Sequence, residues 1–356
     1  MPSHRDYDSL INSPQQDKQV KPLYRNLFLL FGIVSIIVML CTFDVDYKQL
    51  YAHLLRAGLY LPAVIGVWVF VYAFNALAFQ MIVNSGTHSK HLSFRHAYKL
   101  TVSGFAFSYT TPFGFGGGPY RVMELASHIG TPRAMSSVVL YSMMHIFSHI
   151  CLWSSAAVLF AVVYTNKMTP FLWTLFMAFA IIIVGVIFVF HLCYKKGVIV
   201  KLYKPLLHIP FAKKWAQKFY DKHADSMQQV DDNIAYLHSQ PRAFYLSLFF
   251  EYVARVINAF EYYFILLSLG VNLSFWDAVL VLAFSSLIGN LLFFLPMQLG
   301  AREGGLSLIV KILGLSAPGL GIITSLYTRV RELVWIFIGV SLVKVGNKKM
   351  MKEKVN

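Results

Sequence analysis

Charged residues are scarce in this sequence: they make up 13% of its 356 residues, and only 16 residues are acidic. Hydrophobic residues make up 57%, and they occur in runs of about 20 residues, the length that crosses the hydrocarbon core of a bilayer. A soluble helix covers a core with one apolar face and does not need such runs. The composition therefore excludes a soluble globular protein and indicates a membrane protein with several spans.

Cysteine is rare as well. The three cysteines, Cys41, Cys151 and Cys193, lie in or at the end of apolar runs, where a free cysteine packs as a small apolar side chain. They predict neither a disulfide framework nor a metal site. His145 and His149 have the i, i+4 spacing of metal ligands, but no cysteine or carboxylate completes the set, which favours a polar lining role.

Two motifs of enzymes are missing. No Gly-Lys-Ser or Gly-Lys-Thr follows the Gly-rich tract around Gly116, which excludes a nucleotide P-loop. No nucleophile is paired with a base in a pattern typical of catalysis. We therefore expect no enzyme activity, no cofactor and no metal.

A signal-peptide cleavage site is missing too. The first apolar run, about 27–43, follows a polar and basic segment at 1–26 but ends in Cys-Thr-Phe-Asp instead of small residues. Such a run is predicted to remain in the mature protein as a transmembrane span.

Basic residues indicate the orientation of the chain. The formal net charge is +15, and lysine and arginine concentrate in the N-terminal segment, in a central loop at 195–242 and in a tail at 346–356. Because basic residues are enriched in cytosolic loops, all three regions are predicted to be cytosolic, beside anionic lipid and not nucleic acid. The predicted spans are about 27–43, 59–83, 134–164, 171–194, 244–269 and 320–345.

Proline and glycine break two apolar segments that lie between these spans. The first runs from Ala97 into the tract Pro112 to Pro119, and the second runs from Phe275 into the tract Pro296 to Gly300. Each piece is short for a full crossing. All three basic regions are cytosolic only if each broken segment enters and leaves on one side. The prediction is an all-α polytopic membrane protein with six transmembrane helices and two re-entrant hairpins.

The two broken segments belong to an internal repeat. A gapless shift of 184 positions superimposes three prolines and glycines that interrupt or end apolar segments. The same shift also aligns the apolar runs and the breaks between them. The matched residues are Pro112 with Pro296, Gly116 with Gly300, and Gly130 with Gly314. Within one transmembrane domain at 27–345, repeat 1 is predicted at about 59–165 and repeat 2 at about 243–345. An odd number of crossings separates the matched spans, so the repeats have inverted topology, as in many secondary transporters.

The residues after the first break suit an anion site. Gly116, Gly117 and Gly118 let backbone approach a ligand closely, and Pro119 suits the first position of a helix. The positive end of that helix, with Arg121 close by, would point into the membrane interior, where it favours a phosphate.

Gly300 and Arg302 take the corresponding place in the second half, so two helix ends are predicted to converge on the site. The alternative is that the glycines only permit the turn. In that case the arginines extend to the interface or pair with Glu124 and Glu303.

Ionisable residues also lie inside predicted spans. Glu251 and Arg255, one helical turn apart, belong to a polar stripe of the fifth span, and Arg329 lies beside two other charged residues in the last span. His145 falls opposite Arg329 in the 184-residue register. A charge at mid-membrane costs at least about 2.5 to 3.5 kcal/mol on insertion scales, so such residues face a cavity or each other. The further candidates for substrate binding are therefore His145, Glu251, Arg255, Glu303 and Arg329.

Both broken segments resemble the signature regions of a known family. Pro112 to Arg121 followed by Gly130, and Pro296 to Glu303 followed by Gly314 and Arg329, are similar to those of the lysylphosphatidylglycerol synthase transmembrane region family, also called flippase-like. The resemblance covers about 27–345. It implies translocation of an anionic or aminoacylated phospholipid, or of a lipid-linked phosphate, across the cytoplasmic membrane.

The resemblance also has two points of difference. Family members typically have Gly-Glu before Pro-x-Arg in the first signature, whereas this chain has Gly117-Gly118. The multidomain relatives attach a soluble aminoacyl transferase after the membrane part, whereas this sequence stops at Asn356. We therefore expect that this chain does not aminoacylate lipid by itself.

The leading hypothesis is a flippase for an anionic phospholipid or polyprenyl phosphate in a bacterial cytoplasmic (inner) membrane, with both termini cytosolic. One alternative is a scaffold that recruits a lipid or cell-envelope enzyme through the loop at 195–242. The other is a membrane enzyme that modifies lipid.

Overall fold

The structure is a computed structural model that describes residues 57–85, 90–111, 116–165, 241–291, 301–315, 320–343 and 351–353, with short pieces between 170 and 185. The predicted first span, most of the fourth span and nearly all of the central loop lie outside the described residues. Pro112, Pro296 and Gly300 also lie outside them.

The described part of the chain is helical, apart from two strands of three residues each. The helices are α1 (Tyr60–Asn84), α2 (Phe94–Thr110), α3 (Gly117–Ile129), α4 (Thr131–Val163), α5 (Pro241–Ser268), α6 (Phe275–Leu291), α7 (Ala301–Leu313) and α8 (Leu320–Leu342). The strands are β1 (Lys90–Leu92) and β2 (Met351–Glu353). An all-α membrane fold is therefore confirmed, with a small strand pair that the sequence did not predict.

Three helices within the described residues are long and apolar enough to cross a membrane, namely α1, α4 and the part of α5 at Arg242–Ser268. They carry large hydrophobic side chains on their outer surface, such as Phe70, Val158 and Phe249, which are more than half exposed. Apolar side chains on the outside suit hydrocarbon and not water. The chain is therefore an integral membrane protein.

Each broken segment forms two short helices. α2 and α6 have 17 residues each, and α3 and α7 have 13 each. A helix of 13 residues is about 20 Å long, less than the roughly 30 Å of a hydrocarbon core. At 13 residues each, α3 and α7 are therefore shorter than the hydrocarbon core.

α2 and α3 pack against each other as an antiparallel hairpin. Gly117, at the start of α3, lies so close to Ser108 and to the Gly104 carbonyl that a β-carbon has no room. One turn further along α3, Arg121 lies beside Gly104 and Thr101, which precede Ser108 in α2. The contacts run in opposite order along the two helices, so the chain reverses direction at the break.

The 184-residue register holds in the helix boundaries. A shift of 184 positions carries Gly117–Ile129 onto Ala301–Leu313, which are α3 and α7 from first to last residue. Gly130 and Gly314 follow these helices with φ of +80° and +78°. A positive φ favours glycine at both positions, because glycine has no β-carbon. The two helices nevertheless end differently. The Leu315 N–H donates to the Val310 carbonyl beyond Gly314, as in a Schellman motif, whereas Gly130 has ψ of +153° and is also the N-cap of α4.

The two halves are packed into each other. α1 lies along α5 in the opposite direction, with Phe74 against Phe250 and Val64 in one apolar cluster with Ile265. α2 of the first half packs on α8 of the second, where the Ser103 hydroxyl donates to the Gly339 carbonyl at 2.8 Å. The corresponding pair, α4 and α6, also packs together. Polar residues of the interior therefore lie between the two halves.

The strands join the tail to the first half. β1 follows α1, and it pairs with β2 in antiparallel register, with Lys90 opposite Glu353 and Leu92 opposite Met351. The loop after α1 and the C-terminal tail therefore lie at the same end of the molecule.

Candidate functional site

The interior holds two groups of ionised side chains, and the larger group belongs mainly to the second half. Arg331 of α8 donates to Glu261 of α5 at 2.9 Å, and the Trp68 indole N–H donates to the same carboxylate at 2.7 Å. The Arg331 guanidinium also lies 3.8 Å from the centre of the Trp68 ring. Glu261, Arg331 and Trp68 are all at least nine-tenths buried, so these contacts replace the water that the charges have lost.

Arg302 and Arg329 have carboxylate partners as well. Arg302 of α7 lies 2.6 Å from Glu332, and Arg329 lies 2.7 Å from Glu303. Ser325 adds a hydrogen bond of 2.7 Å to Glu303. The larger group therefore balances three arginines with three glutamates, Arg302, Arg329 and Arg331 against Glu261, Glu303 and Glu332.

These pairs favour the structural alternative for Arg302 and Arg329. Both side chains were candidates for binding an anion, but each donates a hydrogen bond to a glutamate of its own half. The carboxylate nearest to Arg302 comes from Glu332 on another helix, a partner that the sequence did not indicate. An anionic ligand would have to compete with a partly buried ion pair at either position.

The smaller group contains three residues that the sequence singled out. The His145 Nδ1 of α4 lies 2.9 Å from a Glu251 oxygen of α5, and Arg255 lies 3.8 Å from the same oxygen. Arg255 also donates from Nε to the Ser148 hydroxyl at 3.2 Å. The structure therefore brings His145, Glu251 and Arg255 together, as expected for residues that line one site.

Arg121 completes the smaller group from the hairpin of the first half. Its guanidinium lies 5.2 Å from the centre of the Tyr141 ring and 5.9 Å from that of Phe105. It is 94% buried, because only 6% of its surface is exposed. Its Nη2 makes one long bond of 3.5 Å to the Thr101 carbonyl, and its Nε has no hydrogen-bond partner.

Across the part of the chain that the structure describes, no carboxylate lies within ion-pair distance of Arg121. This differs from the arginines of the second half. Burial of a cation without a partner is costly, so such residues in membrane proteins typically mark the path of a substrate or ion.

The chain matches the family described as lysylphosphatidylglycerol synthase TM region over residues 28–339. The protein belongs to this lysylphosphatidylglycerol synthase TM region family. Comparison with curated proteins gives no significant match. Membership makes it a membrane protein related to lipid modification or translocation, which is the class that the two signature regions predicted.

In this family member, the smaller group has an unbalanced charge. With His145 neutral, the guanidinium groups of Arg121 and Arg255 face one carboxylate, that of Glu251, which leaves one positive charge. We call Arg121, Tyr141, His145, Glu251 and Arg255 the central cluster. Its excess charge suits a monoanion such as a phosphodiester.

A row of aromatic rings separates the central cluster from the larger group. Phe105 lies 5.8 Å from His145, and Tyr72 lies 5.2 Å from Phe105. Trp68, which holds Arg331, lies 5.2 Å from Tyr72. The two groups are therefore joined by ring contacts and, among the ion pairs of the described residues, share no carboxylate.

The glycines of the first signature fit the alternative in which they permit the turn between the two helices. A β-carbon on Gly116 would lie 2.5 Å from the Thr111 methyl group and 2.8 Å from the Phe107 carbonyl, and Gly117 is equally closed by α2. Both glycines therefore permit the close contact between α2 and α3. Only Gly118 has open space, with its nearest neighbour, Val138, at 3.9 Å.

The start of α3 also differs in detail from the prediction. The helix begins at Gly117, so Pro119 is its third residue and not its first. Proline is still tolerated there, because the N–H groups of a first helical turn have no partner within the helix. The Gly116 N–H is accepted by the Thr111 hydroxyl at 2.7 Å, which fixes the entry to α3.

Two residues of the site gave no signal in the sequence. Gly104 leaves the space in which the Arg121 guanidinium lies, since a β-carbon there would be 2.5 Å from Nε. Tyr141 covers the same guanidinium from α4. A glycine and a tyrosine inside apolar helices are ordinary residues, and only their position beside Arg121 makes them part of the site.

Proposed function

We propose that the protein translocates an anionic lipid across the bacterial cytoplasmic membrane and that the central cluster binds the phosphate of its head group. The observation that carries the proposal is Arg121, a buried cation with an Nε–H to which the described residues offer no acceptor. A phosphodiester oxygen supplies both the missing charge and the missing acceptor.

The position of the cluster supports movement of the ligand and not only binding. Arg121 comes from the α2–α3 hairpin of the first half, whereas Glu251 and Arg255 come from α5 of the second. A rocking motion of one half against the other would change the side from which such a site is reached. That geometry supports translocation by alternating access.

The topology that goes with this proposal has six spans, two re-entrant hairpins and an inverted repeat. The pairing of β1 with β2 supports it, since it puts the loop after α1 on the side of the tail, which is cytosolic in this arrangement. At the other end of the molecule, the Tyr164 hydroxyl after α4 donates to Asp277 at the start of α6. The contacts at both ends of the molecule are compatible with two hairpins that enter the membrane from opposite sides.

The ligand class follows from charge and solubility. The site offers an excess of one positive charge within an integral membrane protein, so we propose a membrane lipid with one phosphate, either phosphatidylglycerol or polyprenyl phosphate. Phosphatidylglycerol is a phosphodiester with one negative charge, whereas polyprenyl phosphate is a monoester that has one negative charge only below its second pKa of about 6. The proposal includes no covalent step, no cofactor and no metal. A partner enzyme on the cytosolic side is compatible with it but is not required.

The test is leaflet transfer in liposomes that contain the purified full chain. Fluorescently labelled phosphatidylglycerol and a labelled polyprenyl phosphate are the two substrates, and quenching of the outer leaflet reports transfer. Arg121→Gln is expected to slow transfer about tenfold or more, because a charge-assisted hydrogen bond is worth roughly 1.5 to 3 kcal/mol. Arg95→Gln is the matched control, since Arg95 is an exposed arginine of the same hairpin.

Three results would contradict the proposal. The first is transfer of neither lipid above the level of empty liposomes. The second is equal transfer by Arg121→Gln and by the wild-type protein. The third is a new covalent lipid species, detected by mass spectrometry after the reaction, which would make the protein a lipid-modifying enzyme.

A further inference from the structure

The hydrogen bonds around His145 define the state of its ring. Glu251 is within 2.9 Å of Nδ1, and an ionised carboxylate only accepts hydrogen bonds, so Nδ1 carries the proton. The Nη2 of Arg255 lies 2.6 Å from Nε2 and 2.8 Å from Nδ1. Because the Nδ1 proton is donated to Glu251 and a guanidinium only donates, Nε2 is the ring nitrogen that accepts from Arg255. His145 is therefore the neutral tautomer with its proton on Nδ1.

A second proton on this ring can bind only at Nε2, the nitrogen that accepts the hydrogen bond from Arg255. Protonation of Nε2 turns an acceptor into a donor and leaves two cationic groups facing each other at 2.6 Å. The Nη2 of Arg255 must then move away, while its Nε can keep the bond to Ser148. One proton therefore breaks a hydrogen bond and frees a guanidinium for another acceptor.

The charged groups around His145 offer little compensation for a second cation. α3 contributes Arg121, and α5 contributes Arg255 and the single carboxylate, Glu251. On α4 itself, the Tyr141 and His149 rings lie 6.2 Å and 5.5 Å from His145. The neighbour from α2 is the Phe105 ring at 5.8 Å. With protonated His145, the cluster holds three cations, Arg121, His145 and Arg255, against the one carboxylate of Glu251.

We infer that His145 binds a proton together with the anionic head group, so that the protein is a proton–lipid symporter. The inference rests on the proposed function. The incoming phosphate adds one negative charge beside the three cations, so the cluster with both ligands bound has the same net charge of +1 as the empty cluster. The phosphate also accepts the hydrogen bond that Arg255 loses. By thermodynamic linkage, each ligand raises the affinity for the other to the same extent. A proton gradient then drives net movement of the lipid from the acidic side.

The decisive measurement is binding of dioctanoyl phosphatidylglycerol to the full chain in detergent, followed by tryptophan fluorescence. Lowering the pH from about 7.5 to about 5.5 is expected to tighten binding about tenfold, within the usual range of coupling between two sites. Binding in a weakly buffered solution is expected to take up about one proton for each lipid, because the two ligands are linked.

Two variants separate His145 from its neighbours. In His145→Gln, the side-chain amide can donate to Glu251 and accept from Arg255, as the neutral ring does, but it cannot take a proton. This variant is expected to bind the lipid with the same affinity at both pH values. His149→Gln removes the histidine one turn away on α4 and is expected to keep the full pH response.

The outcomes distinguish this inference from the function on which it rests. Lipid binding with the same affinity at both pH values in the wild-type protein, or with no proton uptake, overturns symport and leaves translocation intact. If the pH response survives in His145→Gln and disappears in His149→Gln, the proton binds to His149 and the inference about His145 is wrong. No binding of phosphatidylglycerol or polyprenyl phosphate at any pH overturns the proposed function as well.

Liposomes with a pH gradient provide the corresponding transport measurement. Acidifying the side from which lipid enters is expected to speed initial transfer several-fold in the wild-type protein, in line with the same linkage. The same gradient is expected to have no effect on the residual transfer by His145→Gln. Transfer in the wild-type protein that ignores the direction of the gradient would contradict symport.

Discussion

Gly104 of α2 faces the guanidinium of Arg121 on α3, and a β-carbon at Gly104 would lie 2.5 Å from Nε and 2.6 Å from Cζ. The position of Arg121 therefore depends on a missing side chain on the neighbouring helix. The contact is with the end of a flexible side chain, so a larger residue moves Arg121 without breaking the hairpin.

Gly104→Ala is accordingly expected to lower lipid transfer about as much as Arg121→Gln, roughly tenfold, because the displaced guanidinium misses the phosphate. The measurement is leaflet transfer at matched protein content. Gly66→Ala on α1 is the control, since a β-carbon at Gly66 meets no atom within 4 Å. Unchanged transfer by Gly104→Ala would show that the position of Arg121 does not limit the rate.

The buried pair Arg331 and Glu261 is expected to contribute to stability and not to binding. Arg331→Met leaves the Glu261 carboxylate buried with only the Trp68 N–H as a strong partner, which costs about 3 to 5 kcal/mol. Thermal unfolding in detergent measures the loss. Adding Glu261→Gln is expected to recover part of it, because the second change removes the unpaired charge. Arg95→Gln, at an exposed site, is expected to leave the unfolding temperature unchanged.

Replacing Gly130 or Gly314 with alanine is expected to destabilise the protein. Alanine at a positive φ is strained by roughly 1 kcal/mol or more, so Gly130→Ala and Gly314→Ala should each lower the free energy of unfolding by at least about that amount. The larger loss is expected for Gly130→Ala, since φ of +80° with ψ of +153° is a backbone conformation that almost only glycine adopts. Gly304 of α7 is the control, because a β-carbon there meets no atom within 4 Å and alanine suits a helix. Unchanged stability in both variants would argue against backbone strain at these helix ends.

The proposed topology predicts which ends of the molecule face the outside of the cell. In a variant without its natural cysteines, Asn272→Cys before α6 is expected to react with a membrane-impermeant maleimide in intact cells. Arg95→Cys at the start of α2 is expected to react only after permeabilisation, since the proposed topology puts that end in the cytosol. Both positions are exposed. Reaction of Arg95→Cys in intact cells would refute the orientation.

Parts of this fold follow from local patterns. The 184-residue register predicted that the helix after the first break and the helix after the second correspond, and α3 and α7 match from end to end. Gly130 and Gly314 were recognisable as punctuation because a helix end favours glycine. Both features depend on residues close together in the sequence, and such features are readable without a structure.

The candidate site was less predictable. His145, Glu251 and Arg255 were expected to line a site, and they are in contact. For Arg302 the sequence left open a ligand or a pair with Glu303, and the structure gives it Glu332 as its ion-pair partner, while Glu303 pairs with Arg329. Which arginine has a carboxylate partner depends on how the helices pack against one another, and the hydropathy pattern carries no information on that packing.

The sequence by itself determined that this is a helical membrane protein with two related halves, because span length, basic loops and helix punctuation are local properties of the chain. Only the tertiary structure decided which buried cation lacks a partner. Glu261 is 70 positions from Arg331, and Trp68 is 193 positions from Glu261. Packing brings these residues together and leaves Arg121 with rings, one backbone carbonyl and no carboxylate within the described residues.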